Sequence, residues 1–391
     1  MALASESRLA LPERARNVAI NVAAKTAVDV DRSGRFPHEV VAAIKQERLL
    51  SVMLPEEFGG EGVPLEQVAG VCSILAQHCA SSAMIFAMHQ IKLSSVISHG
   101  RDSAWHRKFM QRVANEQLLL ASATTEGGIG GDLRNSICAV RVTGTDFDLE
   151  KDATVISYGS HADAILVTAR RHPEAASSDQ VLAAVLKDQY RLEKTTDWDT
   201  LGMRGTCSDG FKLIAHAPAE QILPKPFAEI AAQSMLATSH LLWSSVWFGI
   251  ATDAITRAQA FVRAEARKKP GVPPPGALRL AEATSMMQSV RSNILANLRR
   301  FERAGEDDLM SLGFAVAMNN LKVGVSQTAV HVINHALLIC GIHGYKNNTP
   351  YSVGRHLRDA HSAALMISND RILSNTSNLL LAHRYDQGLI D

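Results

Sequence analysis

The apolar positions of this chain change period twice. From the start to about residue 120 they recur at helical spacing. Phe36-Pro37-His38-Glu39-Val40-Val41-Ala42-Ala43-Ile44 carries a proline and an acid at its head, as a helix start does. A turn-rich stretch, Leu54–Gly62, interrupts the pattern, which resumes at Leu65–Ala76 and Ala83–Val96. Between about 120 and 222 the runs shorten and become β-like: Ala139–Val142, Thr154–Ser157, Ala164–Ala169 and Val181–Leu186, parted by Gly, Asp and Ser turns. From about 223 onward long helical segments rich in Ala and Leu return, broken mainly by the loop Pro270–Gly276. The expected fold class is α+β. It divides into an N-terminal helical domain (1–120), a middle β-domain (121–222) and a C-terminal helical bundle (223–391).

The segment Thr124-Thr125-Glu126-Gly127-Gly128-Ile129-Gly130-Gly131-Asp132 lies between the apolar run Leu118–Ala123 and the β-branched, roughly alternating run Leu133–Val142. A dinucleotide-binding turn needs a helix directly behind its glycines, and none follows here. Such a loop instead brings backbone amides and small hydroxyls close to a ligand without side-chain bulk. That geometry suits a flat, phosphate-bearing cofactor along a sheet edge.

The remaining composition narrows the picture by exclusion. The chain has 391 residues, 46% hydrophobic and 20% charged, with net charge +1. That is enough for two or three domains, and the near-neutral charge argues against nucleic acid as the main partner. Five scattered cysteines without a Cys-x-x-Cys pair fit reduced thiols and a cytoplasmic location. The N-terminus lacks a signal-peptide layout. No apolar run is expected to reach the roughly 18 residues of a membrane span, Leu241–Ala251 being the longest candidate.

In the order helical domain, β-domain, helical bundle, the chain resembles the acyl-CoA dehydrogenase family over nearly its whole length. Thr125–Asp132 is similar to that family's Thr-Glu-Pro-x-x-Gly-Ser-Asp flavin loop. Lys151–Gly159, followed by Ala162-Asp163, is similar to its Lys-x-x-x-Trp-Ile-Thr segment. Trp198–Ser208, Cys340–Tyr345 and Arg358-Asp359-Ala360 match later landmarks in order. The resemblance implies an acyl-CoA dehydrogenase-like fold ending in a four-helix bundle, with FAD as cofactor. Thr125 would bond the flavin's polar edge, with Ser122 and Thr124 alongside. Gly130 and Gly131 would approach the pyrophosphate, and Ser157 would bond flavin N5. Gly341 and Gly344 belong to the same cofactor set, as does Arg267, which with Arg263 straddles the position of an Arg reaching a neighbouring subunit's FAD. Two departures stand out: Gly131 replaces a Ser, and Val155 replaces a ring-shielding Trp.

The family's usual catalytic base is a Glu, and none stands at its place here. Asp370 is the nearest carboxylate, expected either as the base or as a helix N-cap, with Asn369 as the other occupant. A minority position for the base falls on Ser239, next to His240. His331 and His335 have metal-ligand spacing but no third ligand in sequence, so helix packing is expected of them and no metal. Arg134 and Asn135 read as pocket-lining or strand-edge residues. The implied function is FAD-dependent α,β-dehydrogenation of an acyl thioester, carried by coenzyme A or a carrier protein. An electron-transfer flavoprotein or oxygen would serve as acceptor. A two-component flavin monooxygenase of the same fold needs no Glu; the missing base, Val155 and His161 keep that alternative open. A catalytically silent subunit is a third. The apolar residues Leu241, Leu242, Trp243, Trp247, Phe248 and Phe261 lead to the expectation of a homodimer or homotetramer.

Overall fold

The computed structural model describes residues 9–129, 132–384 and 388. α1 (Leu11–Val18) passes through a π-turn at Ala19–Ala23 into α2 (Ala24–Ser33), which Gly34 ends with left-handed backbone (φ 62°). α3 (His38–Gln46), α4 (Leu65–Ala76), α5 (Ala80–His99) and α6 (Ala104–Glu116) complete the first helical domain. α5 is buried on almost every face, so its polar residues must find partners inside the protein. His89 illustrates the solution: Nε2 lies 2.8 Å from Leu50 O, and Leu120 N donates to Nδ1 at 3.0 Å. Burial holds its pKa down at about 4, so the ring is neutral and ties α5 to the first strand.

The β-domain contains β1 (Leu120–Ala123), β2 (Arg141–Thr143), β3 (Asp146–Ala153), β4 (Ala164–Arg170), β5 (Gln180–Leu186), β6 (Tyr190–Thr196) and β7 (Gly210–Pro218). They form a three-stranded sheet, β1-β4-β5, and a four-stranded antiparallel sheet, β2-β3-β7-β6. β1 pairs parallel to β4, with Leu120 opposite Ala164. β4 and β5 are continuous apolar runs because both their faces are covered. β3 alternates instead, burying Phe147, Leu149, Lys151 and Ala153.

The expected strand at Thr154–Ser157 is not one. After Ala153 pairs with Phe211, the chain leaves the sheet, is held by Ile156 N donating to Asp209 O (2.9 Å), and turns at Tyr158 (φ 45°). β6 escaped the apolar pattern because it is an exposed strand at the sheet's edge, rich in charge.

The C-terminal part comprises α7 (Phe227–Ile230), a π-turn at Ala231–Met235, α8 (Leu236–Lys268), α9 (Ala277–Arg303), α10 (Glu306–Leu309), α11 (Leu312–Cys340), α12 (Ile342–Tyr345), α13 (Gly354–His361) and α14 (Asn369–Leu379). α8, α9, α11 and α14 form the bundle, and α8 also packs on α4 and α5. That second contact corrects the argument from surplus apolar residues on α8. Leu241, Leu242, Trp243 and Trp247 are buried within the chain itself, by the first helical domain and α11. α11, not Leu241–Ala251, is the long apolar helix; it meets the length and composition of a membrane span, and half of that stretch is buried inside the protein.

Candidate functional site

A cavity of about 590 Å³ opens where the three parts meet. One wall comes from the β-domain: Ser122 at the end of β1, Thr124 and Thr125 beyond it, and the Val155–Tyr158 turn after β3. Helical elements form another wall: Met84, Met88, Ile91 and Lys92 of α5, Met235 at the end of the π-turn, and Leu236, Ser239 and Trp243 at the head of α8. The 198–208 loop and the 358–371 segment close the rim.

A buried ion pair fixes the glycine loop. Lys151 sits at a core phase of β3, fully buried, and its ammonium donates to Glu126 Oε2 (3.1 Å) and Thr168 O (2.9 Å). Glu126 also accepts from Ser136 Oγ, Ile137 N and Cys138 N. These partners outweigh burial and hold the Glu126 carboxyl below its ordinary range. Sequence comparison found both residues only as landmarks; their task is to pin the loop's two ends to the sheet.

The hydroxyls of the β wall are ordered by a chain of donors. Thr206 Oγ1 donates to Met203 O at 2.8 Å, which uses its one proton. Ser208 Oγ, 2.8 Å from Thr206 Oγ1, must therefore donate to it, and Ser157 Oγ, 2.8 Å from Ser208 Oγ, must donate to Ser208. Ser157 thus offers the cavity an acceptor, not a donor. Thr125 Oγ1 donates to Val155 O (3.0 Å), so its proton serves the wall itself. Ser122 Oγ and Thr124 Oγ1 lie 3.4 Å apart.

The rim is built by close approach. A Cβ on Gly202 would collide with the carbonyl of Arg358, and one on Gly205 with Val30. Asp359 accepts from Met203 N (2.7 Å), and the Arg358 guanidinium grips Asp31. Burial pushes the Asp359 carboxyl up to about 6. Tyr158, Met203 and Ile367 line the cavity in left-handed backbone (φ 45°, 53° and 50°), the kind of strain that accumulates at working sites.

The structure gathers Ser122, Thr124, Thr125, Val155 and Ser157 around this cavity. Gly130 and Gly131 lie outside the described residues. Arg267, Gly341 and Gly344 are elsewhere, at the far end of α8 and α11. There Phe261 meets His343 (5.7 Å between rings) and Tyr351 (5.2 Å). Arg267 and Gly341 are exposed.

Asp370 does not line the cavity. It is exposed on the first turn of α14, while Ser368 and Arg371 line the cavity on either side of it. Asn369 is buried in a structural network, accepting from Lys322 Nζ (2.7 Å) and donating to Ser326 Oγ (3.0 Å). Ser239 lines the cavity but spends its proton on Met235 O (2.6 Å). His240 is buried beneath α11 beside Met318 O, with its pKa held down at about 4. No Asp or Glu occurs among the described residues that line the cavity. His161, expected near the site, stacks on Phe36 instead (4.1 Å). Asn135 and Arg134 organise a turn around Asp132. His335 lies 3.8 Å from Glu282, and no group of three metal-ligating side chains occurs among the described residues. Sequence reasoning missed Lys92, whose signal was a charge inside the apolar run Ala83–Val96.

Residues 5–117 match the acyl-CoA dehydrogenase N-terminal domain and residues 230–370 its C-terminal domain, together more than half of the chain. The chain belongs to the acyl-CoA dehydrogenase family. It is a flavoenzyme of that family, an oxidoreductase with the three-part fold expected. Cyclohex-1-ene-1-carbonyl-CoA dehydrogenase of Syntrophus aciditrophicus is 25% identical over 377 residues, covering 94% of this chain and 88% of the relative. FMN-bound TdsC of Paenibacillus sp. A11-2, a dibenzothiophene monooxygenase, superposes with TM-score 0.83 at 19% identity, covering 96% of this chain and 98% of TdsC. Butyryl-CoA dehydrogenase of Megasphaera elsdenii superposes with TM-score 0.81 at 20% identity, covering 97% and 100%.

Proposed function

We propose that this chain is the oxygenase component of a two-component flavin monooxygenase. Its reduced flavin comes from a separate reductase, and oxygen is the acceptor. The observation that carries the reading is a cavity without a carboxylate among its described lining residues. Acyl-CoA dehydrogenases usually remove the proton α to the thioester carbonyl with a positioned carboxylate, and an exposed Asp370 outside the cavity does not provide one. A reduced flavin, when bound, supplies the electrons that activate oxygen.

The chain's own residues fit the reduced form. Ser157, fixed as an acceptor by Ser208 and Thr206, would take a hydrogen bond from N5–H, where an oxidised ring offers only another acceptor. Ser122 and Thr124 would meet the ring's polar edge, and Val155 its face. The apolar helical wall would hold the organic substrate and keep water from the reacting face. A flavin confined to the cavity and glycine loop is FMN-sized. FAD would bring in Arg267, Gly341 and Gly344 through a neighbouring copy, consistent with exposed apolar side chains at that end, Leu338, Ile342 and Tyr345. A homo-oligomer follows from that reading.

The dehydrogenase reading draws on the thioester-acting relative that covers 94% of the chain. The two are separated by mixing flavin-loaded protein with a range of acyl-CoA thioesters without oxygen. We expect no bleaching of the flavin, and oxygen uptake when reduced flavin is supplied with air. Bleaching by a thioester overturns the proposal and restores dehydrogenation.

A further inference from the structure

Three lysines are buried among the described residues, and they differ in what surrounds the ammonium. Lys151 faces Glu126 and the Thr168 carbonyl. Lys322 donates to Ile367 O and Asn369 Oδ1, both at 2.7 Å. Lys92, 5% exposed, has the thioether of Met235 at 3.0 Å and no oxygen acceptor among the described residues. An ammonium has three donors and a thioether is a weak acceptor, so two donors are unanswered. Leaving a buried cation uncompensated is strongly unfavourable unless it sheds its proton or gains an anion.

Position decides between a structural flaw and a site. Lys92 and Met235 both line the cavity, on its helical side. Around them lie Met84, Met88, Ile91 and Trp243, which suit an apolar body. We infer that Lys92 anchors a carboxylate on the organic substrate, which therefore has an apolar body carrying one acid group. This rests on the reading that flavin covers the β wall and leaves the helical wall to the substrate.

Burial alone pulls the Lys92 ammonium down to about 7, with no neighbouring charge opposing it. A carboxylate entering already ionised would restore the proton and form a desolvated ion pair. A phenol, with an unperturbed pKa of roughly 10, would have to give its proton to a much weaker base. The carboxylate is therefore the better match.

The test is binding, not turnover. Calorimetric titrations at neutral pH compare benzoate with its neutral isostere benzamide, with and without saturating FMN. We expect the protein to favour benzoate by about tenfold or more. Lys92→Met should bring the two to parity, and Lys92→Arg should keep the preference. If Lys92→Met does not fold, Lys92→Gln takes its place with the same expectation. Equal affinity in the parent protein, no binding of either probe, or a preference that survives Lys92→Met each overturns the inference. Failure of the flavin reading appears separately, as absent FMN uptake beside an intact benzoate preference.

Discussion

The β wall of the cavity satisfies its own polar groups, whereas the helical wall holds a buried ammonium with only sulfur beside it. On the first, each hydroxyl proton in the Ser157–Ser208–Thr206 chain has an assigned acceptor. The wall enters binding with its donors and acceptors already oriented, which lowers the ordering cost of a ligand. On the second, Lys92 lies among methionines, adaptable side chains that accommodate varied shapes. A preorganised wall suits a constant cofactor. A soft wall with one charge suits a variable substrate that must still be oriented.

The comparison breaks most severely if the β wall loses its anchor. Glu126→Ala leaves Lys151 buried and uncompensated, and should cost about 3–5 kcal/mol, the range for breaking a buried pair from one side. Urea unfolding measures it, and flavin affinity should fall with it because the glycine loop is no longer pinned. A loss under about 1 kcal/mol would mean that neither the ion pair nor the bonds from Ser136, Ile137 and Cys138 to Glu126 pin the loop.

Gly202→Ala comes next. The added methyl meets the backbone of Arg358, so the rim must open, at about 1–3 kcal/mol. Flavin or probe binding should weaken more than stability does, because the rim closes the cavity.

Smaller changes sharpen the contrast between walls. Ser157→Ala should weaken reduced-flavin binding by about five- to tenfold, the equivalent of one hydrogen bond. It should leave any benzoate preference untouched. On the other wall, Lys92 alters the pH dependence of stability. Its folded pKa is about 7 against 10.5 for the free side chain. Between those values the unfolded chain binds the extra proton, so this group makes stability rise with pH across that window, by up to about 1.4 kcal/mol per unit. Lys92→Met should flatten that rise and stabilise the protein most at its low-pH end. Asp370→Asn should change least: stability within about 0.5 kcal/mol and flavin binding unaffected, as for an exposed residue outside the site.

Much of the fold was legible because period and burial agree in the helices and in β4 and β5. It was less so where a strand is polar and exposed, as β6 is, or where an apolar run is a crossover, as Thr154–Ser157 is. The β wall was legible in part: Ser122, Thr124, Thr125 and Ser157 stand in or beside segments that resemble family motifs, whereas Thr206 and Ser208 reach Ser157 only through the fold. The helical wall was not. Lys92, Met235 and Trp243 belong to helices whose facing is set by long-range packing of α5 on α8, and a single lysine in an apolar run does not say what it faces. The burial of Leu241, Leu242, Trp243 and Trp247 of α8 was hidden for the same reason, since helices of the same chain cover them.

The central claim is that the β wall presents an acceptor to the flavin and that no carboxylate waits on the other side. The most direct measurement is the affinity for reduced and oxidised FMN and FAD, titrated anaerobically, in the parent protein and in Ser208→Ala. The account predicts tighter binding of the reduced form, and a smaller difference in Ser208→Ala, where Ser157 is free to donate. Tighter binding of the oxidised form in the parent protein, unchanged by Ser208→Ala, would contradict it.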